Sequence, residues 1–255
     1  MSTATLFEQT AAHDHPADAP LSKSEQARID ATLALIPPGI NTALDVGCGP
    51  GTLLVRLPVP QAFGTDLGWV GLRRARTHRP VLRSSILSLP FADRSVDLVT
   101  CCEVLEHLDP KDVSAAITEL WRVARRAVLI TVPYKENLLE SSTRCPKCRH
   151  EFHLHGHQQS FDERTVLPLF APEAHLTVRH VWPVRPYSPT LLGLRTRTLG
   201  LWKFGRHALC PQCGNTEFSN DQGKLLYRAV GALNQIRHPR RSQPNWLLVR
   251  AERTL

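Results

Sequence analysis

The chain predicts a doubly wound α/β fold built on a mostly parallel sheet, and three observations carry that prediction. Leu44-Asp45-Val46-Gly47-Cys48-Gly49-Pro50-Gly51-Thr52 reads as the end of a buried strand running into a glycine-rich turn and then a helix. Its glycines remove each Cβ where the backbone must turn sharply and admit a ligand closely. Short apolar strands then alternate with amphipathic helices, the pattern of a parallel sheet covered by its crossovers. At 255 residues the chain can bury one full α/β core, with roughly 60 to 100 residues left for insertions.

Each element follows from its residues in order. Residues 21–36 carry Leu21, Ala27, Ile29, Leu33 and Ile36 on one helical face, with Ser22 or Ser24 as caps and Pro37-Pro38-Gly39 as the stop. The strand ending in Val46 comes next. Residues 62–67 form a second strand ending in Asp66. That acid lies about 20 residues past the glycine turn, where a nucleoside-binding doubly wound sheet places the carboxylate that holds both ribose hydroxyls. Residues 80–86 offer a third strand. Residues 111–126 form a helix with Val113, Ala116, Ile117, Leu120, Val123 and Ala124 at three- and four-residue spacing. Residues 127–132 are a buried fifth strand stopped by Pro133. Beyond it lie a polar, Cys- and His-rich stretch over 134–160, a short helix over 161–170 with Asp162 near its start, and a strand over 176–181. A proline-rich stretch, a helix over 223–236 and a last strand over 246–251 complete the chain.

The glycine spacing is G-x-G-x-G, with an acid two residues before the first glycine. This resembles motif I of the class I S-adenosylmethionine (SAM) dependent methyltransferases. Leu89-Pro90-Phe91 and the run Asp93-Arg94-Ser95-Val96-Asp97-Leu98-Val99…Glu103-Val104-Leu105-Glu106-His107-Leu108 resemble that family's LPF…SFDLV…EVLEHL segment, strand four with the loop and helix after it. The ordered match covers residues 42–133. The resemblance implies a Rossmann-like seven-stranded sheet whose last strand is antiparallel, so that 176–181 and 246–251 form the closing hairpin, with an insertion of about 60 residues between them. It implies SAM as methyl donor. Gly47, Cys48 and Gly49 would line its methionine part through backbone contacts, and Asp45 would support the loop and reach the amino group. Asp66 would hold the ribose, Leu67 would lie against the adenine, Ser85 and Ile86 would meet the adenine edge, and Glu103 would close the methionine side. His107 is a candidate base. One departure stands out: the third strand of this family commonly ends in an acid that accepts the adenine amino group, and here Ser85-Ile86 occupies the place, offering a hydroxyl or a carbonyl.

Cys145-Pro146-Lys147-Cys148 and Cys210-Pro211-Gln212-Cys213 are two C-P-x-C knuckles. Two residues between cysteines let both thiolates bind one ion from a tight turn, and two such turns complete a tetrahedral Cys₄ Zn²⁺ site. A redox pair would open a helix after a strand, which neither knuckle does. Between them, His150, His153, His155 and His157 supply imidazoles, one of which could replace a cysteine. The order C-P-x-C…F-H…G-H…S-F resembles a zinc-knuckle bacterial branch of the same methyltransferases. That implies Gly156-His157 beside the transferred methyl, where a histidine can take a proton from a hydroxyl or amine. Cys48, Cys101 and Cys102 read as small apolar core residues.

Charge is uneven. Residues 1–143 carry 14 Lys and Arg against 16 Asp and Glu, and residues 144–255 carry 17 against 7. The stretch 174–216 has no acid but holds Arg179, Arg185, Arg195, Arg197, Lys203 and Arg206, which suits an anionic acceptor, a nucleic acid or a solvated basic face. An apolar run long enough to span a membrane is lacking, and residues 1–20 read as a flexible lead-in without a secretory pattern, so the expected compartment is cytoplasmic. The domains expected are a SAM-binding core over 21–133, a first knuckle loop over 134–160, a core helix and strand over 161–182, a second knuckle insertion over 183–244 and the last strand over 245–255. The function expected is methyl transfer from SAM to an oxygen or nitrogen of a small or medium-sized metabolite, with structural zinc. The alternatives are a zinc-knuckle RNA methyltransferase and a non-catalytic SAM-binding partner subunit. Against RNA, the strand-four region lacks an N/D-P-P-Y/F tetrad, and aromatics are not interleaved with the basic run.

Overall fold

Strands that are apolar on both faces need cover on both sides, and the chain provides it. In the computed structural model, which describes residues 17–205, 208–237 and 242–254, a seven-stranded sheet has the order β3-β2-β1-β4-β5-β9-β8. These strands are β1 (Thr42–Val46), β2 (Gln61–Asp66), β3 (Val81–Arg83), β4 (Val96–Cys102), β5 (Ala124–Pro133), β8 (His175–Val184) and β9 (Gln243–Glu252). The first five run parallel, while β9 runs antiparallel to both β5 and β8. The doubly wound sheet with its antiparallel last strand is therefore as the sequence implied. β6 (Ser142–Arg144) and β7 (Glu151–His153) form a separate hairpin.

One buried cluster covers one face of the sheet, with α3 (Val113–Val123) supplying Val113, Ala116, Ile117, Leu120 and Val123, and α4 (Glu163–Val166) supplying Val166. The other face is covered by α1 (Lys23–Leu33) through Ile29 and by α2 (Trp69–Ala75) through Leu72 and Ala75. Helix α1 starts at Ser22, whose hydroxyl accepts from the Glu25 amide while Glu25 accepts from the Ser22 amide, a reciprocal cap. Buried Asp97 ties β4 to the entry of β1: its carboxylate accepts the amides of Asn41 and Thr42 at 3.0 and 3.1 Å and pairs with Arg125. Insertion residues 185–242 separate β8 from β9 and contain α5 (Pro189–Gly193) and α6 (Leu225–Arg237).

Two expectations are corrected. The glycine turn does not run into an α-helix; it is followed by a single 3₁₀ turn, Leu54–Arg56. Pro58 holds Leu57 extended (φ −63°, ψ 120°), so too few residues remain for a helix. Of the expected flexible lead-in, residues 1–16 lie outside the described residues, as does Arg206. Ala17, however, is buried, and its carbonyl accepts from Arg56 Nη1 at 2.9 Å. Among the described residues no helix is long and apolar enough to cross a membrane.

Candidate active site

Strand order reverses at β1, which has β2 on one side and β4 on the other. In such sheets a crevice opens beyond the carboxyl ends of the strands at that point. Two cavities lie there. The smaller, about 370 Å³, is lined by the glycine turn, the end of β2 and the loops after β3 and β4; the larger, about 630 Å³, lies toward β9 and the insertions. Glu103 and His107 line both.

In the smaller cavity the backbone forms the floor. Gly47 has φ +73°, and a Cβ built there would sit 2.3 Å from Val104 Cγ2. Gly71 on α2 comes so close that its Cβ would meet the Gly49 carbonyl carbon at 2.7 Å. The amides of Gly47 and Cys48 both donate to the Thr65 carbonyl, at 2.7 and 3.0 Å, which folds the turn back onto β2. Asp66 then clamps it: Oδ2 accepts from the Gly49 amide at 2.8 Å and Oδ1 from the Gly68 amide at 2.7 Å. Each oxygen keeps a lone pair for a ribose hydroxyl. The glycine cradle, this carboxylate and a volume within the range of small-molecule sites fit an adenosyl cofactor. Gly47→Ala is expected to weaken SAM binding at least tenfold while leaving the protein folded, because the methyl group meets Val104 and the φ disfavours a side chain; calorimetry on the variant checks it.

Of the residues that the resemblance assigns to the cofactor, Gly47, Gly49, Asp66, Leu67, Ser85, Ile86 and Glu103 line this cavity. Asp45 and Cys48 do not. The Asp45 carboxylate is buried under the turn, accepts from Thr100 Oγ1 at 2.7 Å, and is pushed up to about 7 by burial. It braces β1 against β4 and does not line the cavity. The Cys48 side chain points into the core, where it packs so near Gly64 that a Cβ there would lie 2.8 Å from its sulfur. Ser85 Oγ accepts the Leu87 amide at 3.2 Å, closing the turn after β3.

Glu103 ends β4 in the left-handed region, φ +59°, a strained backbone of the kind concentrated at working sites. Its Oε1 accepts from Thr131 Oγ1 at 3.1 Å and its Oε2 from Trp246 Nε1 at 2.7 Å, so β5 and β9 hold it between the cavities. His107 follows on a 3₁₀ turn, Leu105–His107.

The loop after β5 brings His157 to the same point. Gln158 donates from its amide to the Glu106 carbonyl (2.7 Å) and from Nε2 to the His107 carbonyl (2.7 Å), and Gln159 Nε2 donates to the Leu105 and Leu108 carbonyls (3.2 and 3.0 Å). The His107 and His157 rings meet edge-on with centroids 4.8 Å apart. On its other side, His157 stacks on His153 at 4.4 Å. His153 Nδ1 accepts the amides of His155 and His157, so its proton sits on Nε2, toward Glu136. Glu136 Oε2 lies 2.5 Å from His157 Nδ1. Burial alone would raise Glu136, but hydrogen bonds from His153 and His157 outweigh it and hold the carboxyl down to about 2. An ionised Glu136 accepts Nδ1–H of His157 and leaves Nε2 with its lone pair. The sequence reading missed Glu136 and the glutamine staples; the signal was the polar pair Gln158-Gln159 immediately after His157.

The four knuckle cysteines converge. Sγ of Cys145 and Cys213 are 3.6 Å apart, as are those of Cys148 and Cys210, and all four sulfurs lie within 4.8 Å of one another. Tetrahedral zinc with Zn–S of about 2.3 Å sets sulfurs about 3.8 Å apart, so the donors fit the ion. Both knuckles share one geometry: the Arg149 amide donates to the Cys145 carbonyl and the Gly214 amide to the Cys210 carbonyl, each at 2.9 Å, with positive φ at Arg149 and Gly214. No imidazole is needed to complete the set. The clustered cysteines tie the β6–β7 hairpin to the second insertion, and both contribute to the larger cavity through Glu140, Ser141, Leu154, His155, His157 and Lys203. The tied segments roof that cavity. Among the described residues none after Asp112 lines the smaller cavity.

The basic run of 174–216 does not act as one patch. Arg185 and Lys203 line the larger cavity, whereas Arg195 is buried between Tyr187 and Tyr227, its guanidinium 5.2 and 4.7 Å from their rings.

Residues 44–131 match the family of methyltransferase domains. A demethylmenaquinone methyltransferase of Roseiflexus sp. is 40% identical over 104 residues, 37% of this chain and 43% of the relative. A ubiquinone biosynthesis O-methyltransferase of Albidiferax ferrireducens is 34% identical over 116 residues, 40% of this chain and 45% of the relative. The chain thus spans less than half the length of these curated relatives. Among solved structures, magnesium protoporphyrin IX methyltransferase of Synechocystis with bound SAH superposes with a TM-score of 0.56 at 14% identity, covering 99% of this chain and 95% of that one. A SAM-dependent methyltransferase of Thermotoga maritima gives 0.54 at 13%, covering 91% and 90%. Residues 44–131 of the sheet region are thus similar to a methyltransferase domain, and the solved structures share the fold of the whole sheet.

Proposed function

We propose that this protein transfers the methyl group of SAM to an oxygen or nitrogen of a small or medium-sized metabolite, as a member of the zinc-knuckle bacterial branch of its class. One observation carries the reading: a cofactor cavity and a larger second cavity meet at Glu103 and His107, with His157 against the junction. Methyl transfer is an in-line displacement at a sulfonium, which asks mainly for positioning and exclusion of water. SAM lies along Gly47, Gly49, Asp66, Leu67, Ser85 and Ile86, its methyl directed at the junction. The acceptor enters from the larger cavity, where His157 or His107 meets its nucleophile as base or hydrogen-bond acceptor. Tyr134 and Trp246 offer flat apolar surface in that cavity, while Arg28, Arg185 and Lys203 oppose Glu25 and Glu140. This lining suits a ring-bearing acceptor with polar substituents, anionic ones included, in keeping with relatives named for quinone methylation. The test is a screen with labelled SAM against metabolites and total RNA. Transfer to a metabolite is the expected result, whereas transfer to RNA alone, or folded protein that binds no SAM, overturns the reading.

We further infer one Zn²⁺ per chain at Cys145, Cys148, Cys210 and Cys213. A closed Cys₄ set leaves no open position, so its role is structural, and free thiols suit the reducing cytoplasm. Removing the ion with a chelator is expected to loosen the two insertions before the sheet melts, seen as early amide exchange over 142–153 and 208–215 with strands β1 to β5 still protected. Elemental analysis that finds no zinc in protein prepared without chelators counts against the assignment.

A further inference from the structure

Helix α6 is packed along one face and bare along another. On the packed side Val230 and Asn234 are buried, and the Tyr227 hydroxyl accepts from Arg195 Nη1 at 2.9 Å. Asn234 Oδ1 accepts the Ser188 amide at 2.8 Å, and its Nδ2 donates to the Pro186 carbonyl at 3.3 Å. On the bare side Leu225, Leu226, Leu233 and Ile236 are 81, 58, 46 and 75% exposed. Successive helical residues turn by about 100°, so these four and the exposed Ala229 and Ala232 share one arc of about 120° with no polar side chain in it. Single exposed leucines are ordinary, but a contiguous apolar stripe marks an interaction surface. Its border is basic: Lys224 and Arg228 are exposed one turn apart beside the arc. Residues 222–245 hold five Lys and Arg and no Asp or Glu. Lys224 reaches back to Asp221 at 2.5 Å, which leaves Arg228 as the cation facing outward next to the stripe.

We propose that α6 docks on an anionic lipid surface, its apolar arc set among the headgroups and its basic border against their charge. The charge decides between occupants. A second copy packed on the same arc would bring the two basic borders together, like against like. Anionic headgroups over an apolar boundary answer both the stripe and its flank. At 13 residues the helix is too short to span a bilayer and is suited to lie along one. Through Asn234 it holds residues 186–188, and Val184, Arg185 and Pro186 line the larger cavity. Docking therefore ties one wall of that cavity to the lipid surface. On the methyl-transfer reading, on which this consequence alone rests, the acceptor is an amphiphile: its polar ring enters the cavity while its apolar remainder stays in lipid. No part of α6 lines the cofactor cavity, so SAM binds independently of lipid.

The test is flotation of the full chain with vesicles of phosphatidylcholine, alone or mixed with phosphatidylglycerol, in the absence of SAM and acceptor. Binding to the mixed vesicles is expected to be about tenfold tighter or more than to phosphatidylcholine alone, and to weaken as salt is raised. Leu225→Glu combined with Ile236→Glu should weaken it by about tenfold or more. Arg228→Gln should weaken it about fivefold, the share of one cation near the surface. All three side chains are exposed, so circular dichroism and SAM calorimetry should match the parent protein. If the double glutamate variant fails to fold, Leu225→Ser combined with Ile236→Ser decides. No binding to either vesicle, or binding unchanged in the deciding variant, overturns the inference. So does a parent protein that ignores lipid and sediments as a dimer which the deciding variant breaks, because the arc then belongs to a second copy. Lipid binding is read without methyl transfer, so a chain that binds mixed vesicles and methylates nothing upholds the docking helix and sinks only the reading of the reaction.

Discussion

Replacing His157 with alanine is expected to lower turnover by at least about 10²-fold, the low end of what a positioned proton acceptor contributes. The change should appear in transfer from labelled SAM to the acceptor identified by screening, with SAM affinity and zinc content nearly unchanged. The residue lines only the larger cavity, so the cofactor contacts survive its loss. It also lies outside the cysteine cluster. The size of the effect rests on preorganisation: Glu136, His153 and the glutamine staples fix the ring before an acceptor arrives, so truncation removes a group whose ordering is already complete. Activity that survives His157→Ala and disappears in His107→Ala would move the role to the turn after β4 and overturn the assignment to the loop after β5.

The second large effect is at Asp66. Asp66→Ala is expected to weaken SAM binding by about 2 kcal/mol or more, roughly 30-fold, through loss of charge-assisted ribose contacts. The same carboxylate holds the Gly49 and Gly68 amides, so the glycine turn itself loosens and the cost falls on both the ligand and its cradle. Asp66→Asn separates the two. It retains one acceptor for the backbone but loses the charge, and should fall between the parent and the alanine variant. Calorimetry showing unchanged SAM affinity in folded Asp66→Ala would sink this role.

The two variants probe opposite sides of one junction, and their difference in kind follows from the architecture. Asp66 ends β2 and the glycine turn follows β1, in the parallel part of the sheet, where register is set by strand pairing. His157 sits on a loop whose position depends on side-chain hydrogen bonds to another loop. A change at Asp66 therefore acts through affinity, and one at His157 through rate.

Much of the cofactor side was legible in the sequence because its chemistry is local. A glycine turn after a strand and an acid at the end of the next strand are short-range patterns, and strand spacing alone brings Asp66 to Gly49. The helix stripe of α3 and the two C-P-x-C knuckles were legible for the same reason, since each is a periodicity or a pair within a few residues. Local patterning misled where a proline intervened: Pro58 cut the expected helix after the glycine turn to one 3₁₀ turn. It also failed to separate residues that line a cavity from residues that brace it, since Asp45 and Cys48 share the motif but turn into the core.

What the tertiary structure alone decided is the other half of the site. Glu106, Glu136 and His157 are distant along the chain, and nothing in the residues around Trp246 or Glu103 signals that β9 brings the indole onto that carboxylate. Their meeting depends on which loops emerge at the same end of the sheet and on the staples between them. Strand order and register determine that, and they are settled by burial across the whole core. By itself the sequence determined the fold, the glycine turn with its acid, and the paired cysteines. Only packing decided that the cysteine-tied insertions roof the second cavity, and that a buried carboxylate stands beside two histidines where the cavities meet.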